Sequence, residues 1–211
     1  MALDPLLSVE NLSVYYGQFR ALFGIDVSVA AGEIVSIIGA NGAGKSSLLK
    51  AIIGQVDRID GAIRLEGADI AGQSTSNIVA KGVALVPEGR RLFPSLTVEE
   101  NLFIGWEVGR QGEIGFDDIY RFFPVLREKR RQLARELSGG QQQMVAIGRA
   151  LIGNPRLLLC DEISLGFAPT VIKDLYAIIP QVKQRGIGIL VVEQDHECPV
   201  EPSGRAPKCR V

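Results

Sequence analysis

The sequence predicts an α/β protein in three parts: a core with a parallel sheet, a flanking antiparallel β subdomain and an inserted α-helical subdomain. A glycine-rich loop at residues 39–46 lies between a β-branched apolar run and a helix-like run, which indicates a strand, a loop and a helix of a parallel sheet. Alternating residues before that loop predict antiparallel strands. An aromatic and basic stretch at 88–135 predicts the helical insertion.

The composition is that of a globular protein, with 46% hydrophobic and 22% charged residues among 211. Lys and Arg total 23 against 24 Asp and Glu, so the charge gives no reason to expect nucleic acid as a partner. No apolar run reaches the roughly 18 residues that span a membrane, and residues 1–5 lack the start of a signal peptide. The 3 cysteines show no metal-ligand spacing, and their odd number argues against a disulfide framework, so a cytoplasmic protein is expected.

The elements follow from hydrophobic periodicity and turn residues. Flanking strands are predicted at 6–14, 21–29 and 60–67, and core strands at 34–38, 83–86, 156–162 and 189–192. Helices are predicted at 47–53, at 98–102 after the capping residue Thr97, at 142–151, and at 171–185, where Pro180 weakens the helix. A basic cluster at 127–131 is expected to be a solvated helix face.

The glycine-rich loop matches the pattern G-x-x-x-x-G-K-[ST]. Its residues are Gly39, Ala40, Asn41, Gly42, Ala43, Gly44, Lys45 and Ser46. Glycines let successive backbone N–H groups converge on one anion, and the following helix presents its positive end. Lys45 would neutralise the β- and γ-phosphates, and the Ser46 hydroxyl would bind Mg²⁺. A chance match is the alternative, but the flanking strand and helix favour a nucleotide site.

A second turn, Ser138-Gly139-Gly140-Gln141, opens the helix at 142–151 and again offers N–H groups to an anion. By itself it would be an ordinary helix cap. Together with the first loop it gives two phosphate-facing helix starts, which need not serve the same nucleotide.

The strand at 156–162 ends in two carboxylates at the edge where open α/β sheets bind ligands. Asp161 suits the surroundings of Mg²⁺, and Glu162 suits the activation of an attacking water. A simple cap for the next helix is the alternative. Glu193 and Gln194 follow the last core strand at the same edge, and Tyr16 either stacks on a purine or packs at a strand end.

These motifs, in this order and spacing, resemble the nucleotide-binding subunit of ATP-binding cassette (ABC) transporters over residues 6–195. Shorter segments resemble the ATPases of branched-chain amino acid importers, at 86–93, 96–102, 164–169 and 192–194. The resemblance implies a P-loop NTPase core that binds ATP with Mg²⁺ and hydrolyses it. It implies that Tyr16 stacks on adenine, that Gly39 to Ser47 hold the phosphates and the metal, and that Ser46, Glu88 and Asp161 surround that metal.

The resemblance also implies catalytic roles for Lys45, Glu162 and Gln194, with Gln194 where most cassettes have a histidine. Residues Ser138, Gly139, Gly140 and Gln141 would contact ATP held by a facing subunit. The implied partners are a second ABC ATPase subunit and transmembrane permease subunits, with the chain peripheral on the inner face of the membrane. A cassette of translation or DNA repair is disfavoured, since those carry two cassettes or a coiled-coil insertion.

The expected organisation is one ABC ATPase domain at 1–195, with a core lobe at 6–90 and 150–195 and a helical lobe at about 91–149. Ile163 replaces the proline that usually follows the catalytic glutamate. Residues 196–211 are rich in proline and lack periodicity, which predicts a disordered tail and an altered C-terminus. That tail leaves open a cassette that binds ATP without hydrolysing it.

Overall fold

The computed structural model describes residues 5–194. The strands are β1 (Leu7–Tyr16), β2 (Phe19–Val29), β3 (Ile34–Ile38), β4 (Arg58–Leu65), β5 (Ala68–Asp69), β6 (Val83–Val86), β7 (Leu157–Asp161) and β8 (Gly188–Glu193). The helices are α1 (Lys45–Ile52), α2 (Thr75–Ala80), α3 (Val98–Val108), α4 (Phe116–Phe122), α5 (Pro124–Glu128), α6 (Gly139–Leu151), α7 (Pro169–Tyr176) and α8 (Ile179–Gln184). The predictions for His196 and the tail at 196–211 lie outside the described residues.

The parallel sheet has the strand order β3-β8-β7-β6. Strands β7 and β8 are buried along their whole length, as expected of a parallel sheet covered on both faces. Ile38 lies beside Glu193, and Asp161 lies beside Val192. The strands therefore end together at one edge, which is where α/β proteins bind ligands.

Apolar side chains fill both faces of this sheet. On one face, Leu190 and Val192 belong to the core that includes α1 and β1. On the other face, Ile189 and Val191 belong to the core that includes α3 and α6. This alternation follows from the two-residue period of a strand, and along β7 and β8 it leaves charged side chains only at the strand ends, at Asp161 and Glu193.

The antiparallel sheet has the order β2-β1-β4-β5, with β1 paired to both β2 and β4. The strand predicted at 60–67 begins earlier, at Arg58, and ends at Leu65. Two short elements, β5 and α2, are absent from the prediction. They have 2 and 6 residues, and segments this short are set by their neighbours rather than by their own periodicity.

Helices α3, α4 and α5 lie within the stretch 88–135 predicted to be helical, and α6 follows them before β7. Thr97 caps α3 as predicted, in a capping box with Glu100. Helix α3 approaches α6 closely at Gly105, where an added β-carbon would lie 2.1 Å from the carbonyl oxygen of Arg149. Glycine at this position therefore sets the distance between the two helices.

The basic cluster at 127–131 is largely solvated, with Arg127, Arg130 and Arg131 exposed and Arg127 paired with Asp117. The predicted helix face is wrong for residues 129–131, because α5 ends at Glu128 and these residues form a turn. Among residues 5–194, no helix is both long enough and apolar enough to cross a membrane.

The single helix predicted at 171–185 is wrong, because the segment forms two helices, α7 and α8. Pro180 lies in the first turn of α8. Proline has no N–H to donate, so a first turn accepts it and a helix interior does not. The weakening predicted at Pro180 is therefore a complete break.

Candidate nucleotide site

Four connections meet at the carboxyl edge of the parallel sheet. Strand β3 leads into the loop at 39–44, and β7 ends in Asp161 and Glu162. Strand β8 leads into Gln194, and β6 leads to Glu88. The topology alone thus brings the glycine loop, three acidic residues and one amide to a common edge.

The glycine loop is open to a ligand. Gly42 and Gly44 have φ angles of 82° and 88°, in the left-handed region that favours glycine. Helix α1 starts directly after Gly44 without a side-chain cap, so the N–H groups of its first turn are free to bind an anion. The exposed residues of the loop are Ala40, Asn41, Gly42 and Ala43.

Lys45 is buried beneath this loop, with a side chain only 5% exposed. Its Nζ donates to the carbonyl oxygens of Gly39 (2.8 Å) and Ala40 (3.1 Å) and lies 3.6 Å from Oε1 of Glu162. The ammonium group is therefore held by the loop itself, at the centre of the edge. An anion above the loop would meet a cation already in position.

Ser46 and Asp161 join the loop to the acidic strand end. Ser46 Oγ donates to Asp161 Oδ1 at 2.9 Å. Burial raises the pKa of Asp161, the Ser46 hydrogen bond opposes this, and the charges of Glu162 and Glu88 raise it further. A cation would relieve this repulsion, and hydroxyl and carboxylate oxygens are the donors that Mg²⁺ prefers. The residues therefore fit Mg²⁺.

That ion would depend on the nucleotide for further ligands. Residues 5–194 contain no cluster of three or more His, Cys, Asp or Glu side chains that could hold a metal. This agrees with the usual coordination of Mg²⁺, which binds to one or two carboxylates together with phosphates and water.

Glu162 follows β7 in a left-handed conformation, with a φ of 48° that is unusual for a residue other than glycine. Its side chain is 8% exposed and accepts a short hydrogen bond from Nε2 of Gln194. The other oxygen of the Glu162 carboxylate, Oε1, lies 3.6 Å from Lys45 Nζ. The carboxylate is thus fixed between a cation and an amide, and strain of this kind is common at catalytic positions.

Tyr16 and Glu88 lie on either side of this group. The Tyr16 hydroxyl donates to Ser47 Oγ at 3.3 Å, so its ring, which is half-buried, borders the start of α1. Glu88 is exposed, and its charge acts on Asp161. The edge therefore gathers every predicted site residue except those of the second helix start.

The second helix start is at α6, where Ser138 is the cap residue and exchanges hydrogen bonds with Gln141. A β-carbon added at Gly139 would lie close to Arg90 and Phe167, and one added at Gly140 would lie close to Val171; none of these residues belongs to the phosphate loop. Gly140 is buried against Val171, while Ser138 is exposed. The structure therefore does not bring residues 138–141 to the phosphate loop of the same chain.

Glu193 has a role that the sequence did not indicate. It is 3% exposed, and its Oε1 accepts hydrogen bonds from the N–H of Ser164 (3.2 Å) and the hydroxyl of Tyr176 (2.9 Å). The pKa of this carboxyl group is raised, mainly because it is buried. Glu193 thus ties the segment after Glu162 to β8. A charged residue at a strand end is usually exposed, so the burial of Glu193 could not be predicted from its position in the sequence.

Comparisons with known proteins agree with this geometry. The family model described as ABC transporter matches residues 22–164. The chain is 45% identical over 203 residues to the high-affinity branched-chain amino acid transport ATP-binding protein BraG of Pseudomonas aeruginosa, covering 95% of this chain and 87% of BraG. It is 32% identical to the probable branched-chain amino acid transport ATP-binding protein LivG of Methanocaldococcus jannaschii, covering 89% and 79%.

Among solved structures, the chain is similar to the ADP conformation of MJ1267, an ATP-binding cassette of an ABC transporter. The TM-score is 0.78 at 30% identity, covering 92% of this chain and 83% of the other. The fold is that of a P-loop NTPase, and the chain belongs to the ABC transporter family.

Proposed function

We propose that the chain is the ATP-binding and ATP-hydrolysing subunit of an importer for branched-chain amino acids. The main structural support for ATP hydrolysis is the hydrogen bond between the residue after the glycine loop and the acidic end of β7, in which Ser46 Oγ donates to Asp161 Oδ1 at 2.9 Å. The similarity to BraG supports the transported substrate.

In the proposed site, the loop from Gly39 to Gly44 and the N–H groups of the first turn of α1 bind the phosphates of ATP. Lys45 neutralises charge on the β- and γ-phosphates, and Tyr16 stacks on adenine. Ser46 and Asp161 would hold Mg²⁺ with Glu88 nearby, and the ion would stabilise charge on the phosphate oxygens.

Glu162 orients the attacking water and accepts its proton. Gln194 donates a hydrogen bond to the Glu162 carboxylate, and this position supports a contact between its amide and the γ-phosphate in the proposed site. The rate enhancement comes from positioning and from the stabilisation of charge around the transferred phosphoryl group.

A second cassette completes the site in this proposal. Because residues Ser138 to Gln141 do not face their own phosphate loop, they serve ATP held by a facing copy of this chain or by a sister chain. Two cassettes then enclose two nucleotides. We further propose that residues 1–195 form one such cassette, with the core lobe at 6–90 and 150–195 and the helical lobe at 91–149.

A groove between the core and the helical insertion suits the membrane partner. It has a volume of about 360 Å³ and is lined by Ala84, Leu85 and residues of α3 and α6. Phe93 and Val108 line it and are 47% and 65% exposed, and Phe103 and Trp106 of α3 are also exposed. Apolar side chains this exposed mark a surface that another protein covers. We place the permease subunits here, with the chain on the inner face of the membrane.

The test is ATP binding and ATP turnover by the purified chain with and without Mg²⁺. Lys45→Ala should weaken ATP binding and abolish turnover, whereas Glu162→Gln should keep ATP binding and lose turnover. ATP binding without Mg²⁺-dependent turnover would favour a cassette that does not hydrolyse ATP. For the substrate, the reconstituted importer should take up leucine in a manner that Glu162→Gln abolishes.

A further inference from the structure

Arg90 belongs to a strained segment that the proposed site does not explain. Gly89, Arg90 and Arg91 have successive φ angles of 73°, 64° and 44°. The left-handed region suits glycine but costs free energy for a residue with a β-carbon. Arg90 therefore has a backbone conformation that a glycine would adopt more easily.

The Arg90 guanidinium group makes two contacts with other segments. Its Nη1 donates to Oε1 of Gln142 at 3.0 Å, and its Cζ lies 5.3 Å from the centre of the Phe167 ring. The Gln142 amide is itself fixed, because its Nε2 donates to the carbonyl oxygens of Ala134 (3.1 Å) and Leu137 (3.3 Å). Arg90 thus contacts the first turn of α6 on one side and the segment after β7 on the other.

The backbone of the same segment is held from the far end of α6. Arg149 Nη2 donates to the carbonyl oxygens of Arg90 (3.2 Å) and Arg91 (2.9 Å). Arg149 is half-buried, and burial lowers its pKa. Residues near both ends of α6, Gln142 and Arg149, therefore form hydrogen bonds with the segment that follows Glu88.

We propose that Arg90 is a positioning residue for ATP hydrolysis, which aligns the start of α6 with the segment after Glu162. This inference rests on the proposed function, because it assigns the start of α6 to ATP in a facing subunit. Arg90 acts through Gln142 and Phe167 and does not contact the nucleotide of its own chain. It links the segment that follows Glu88 to Gln142, in the first turn of the helix that residues 138–141 begin.

The test compares Arg90→Gly with the matched control Arg127→Ala. Arg127 also lies over an aromatic ring, that of Tyr120, and pairs with a carboxylate, but it is outside the proposed site. Glycine at position 90 removes the guanidinium group while relieving the φ of 64°. The melting temperature should therefore stay within about 3 °C of the unsubstituted chain or rise, since 1 kcal/mol corresponds to about 2–4 °C at this size.

Turnover should nevertheless fall about tenfold in Arg90→Gly, the size expected for losing one charged hydrogen bond and one cation–π contact. The KM for ATP should change by less than about twofold, because the phosphate loop is untouched. Arg90→Lys should recover only part of the turnover, since an ammonium group cannot stack and donate as a planar guanidinium does. Arg127→Ala should leave turnover unchanged.

Three results would overturn the inference. They are turnover in Arg90→Gly within about twofold of the unsubstituted chain, an equal loss in Arg127→Ala, and a large fall in the melting temperature of Arg90→Gly. The last would make Arg90 a structural residue. If the unsubstituted chain shows no turnover that depends on Lys45, the proposed function itself fails.

Discussion

The Ser46 hydroxyl donates a 2.9 Å hydrogen bond to Asp161, a residue 115 positions further along the chain. This bond connects the first turn of α1 to the end of β7. It places a hydroxyl and a carboxylate side by side, next to a glycine loop whose residues 40–43 are exposed. We therefore propose that ATP and Mg²⁺ bind next to each other at the carboxyl edge of the parallel sheet.

Removing either partner of this bond should weaken the response to Mg²⁺. We expect Ser46→Ala and Asp161→Asn to raise the Mg²⁺ concentration that half-saturates ATP turnover by about tenfold, because each loses one oxygen ligand or its charge. ATP binding measured without Mg²⁺ should change little. Ser28→Ala, an exposed serine of β2, is the control. An unchanged Mg²⁺ titration in both variants would place the metal elsewhere.

Tyr16 gives a separate prediction for the base. Tyr16→Ala should weaken ATP binding by about tenfold or more, since stacking of a base on an aromatic ring contributes about 1–3 kcal/mol. Tyr16→Phe keeps the ring and loses only the 3.3 Å hydrogen bond to Ser47, so its affinity should stay close to that of the unsubstituted chain. Calorimetric titration with ATP measures both. Equal losses in the two variants would show that the hydroxyl, and not stacking, is what matters.

Glycine at position 44 should be required for stability as well as for binding. A β-carbon there would lie 2.5 Å from Leu22 Cδ2 and 2.9 Å from the carbonyl oxygen of Ala21, at a φ of 88°. Gly42 has a similar φ of 82° with nothing within 4 Å of an added β-carbon. In urea unfolding, Gly42→Ala should cost about 1–2 kcal/mol and Gly44→Ala clearly more, because only the second adds a clash. Equal losses would contradict this packing.

The buried Glu193 should make stability depend on pH. Its pKa is raised above the ordinary value of 4.5, so the folded state binds its proton more tightly than the unfolded state. The free energy of unfolding should therefore fall as the pH rises from about 4.5 through the folded pKa, as the buried carboxyl group ionises.

Glu193→Gln removes that ionisation and keeps an oxygen for Ser164 and Tyr176. Its stability relative to the unsubstituted chain should thus improve as the pH rises, as measured by urea unfolding between pH 4.5 and 8. A difference between the two proteins that is constant over this range would show that Glu193 does not titrate there.

Much of the core and of the site follows from local sequence. The strands at 34–38 and 83–86 are short β-branched or apolar runs bounded by turn residues, and the structure has them with the predicted bounds. The glycine loop is similarly local, because its conformation depends on its own glycines and on the strand before it. Thr97 was found for the same reason, since a cap acts within one turn.

The remainder depends on contacts between distant segments. The burial of Glu193 needs Ser164 and Tyr176, and the position of Arg90 needs Gln142 and Phe167. No periodicity within one segment reports such contacts. The short elements β5 and α2 were not predicted for a related reason, because contacts with neighbouring segments stabilise them more than their own residue propensities do.

The most direct test of the shared site is complementation between two inactive variants. Lys45→Ala disables the phosphate loop and keeps Ser138, whereas Ser138→Arg blocks the start of α6 and keeps Lys45. Half of the dimers in an equal mixture are mixed, and each has one intact site, so turnover should return to about a quarter of that of the unsubstituted chain. A mixture no more active than its separate components would contradict the proposal that two copies of this chain face each other.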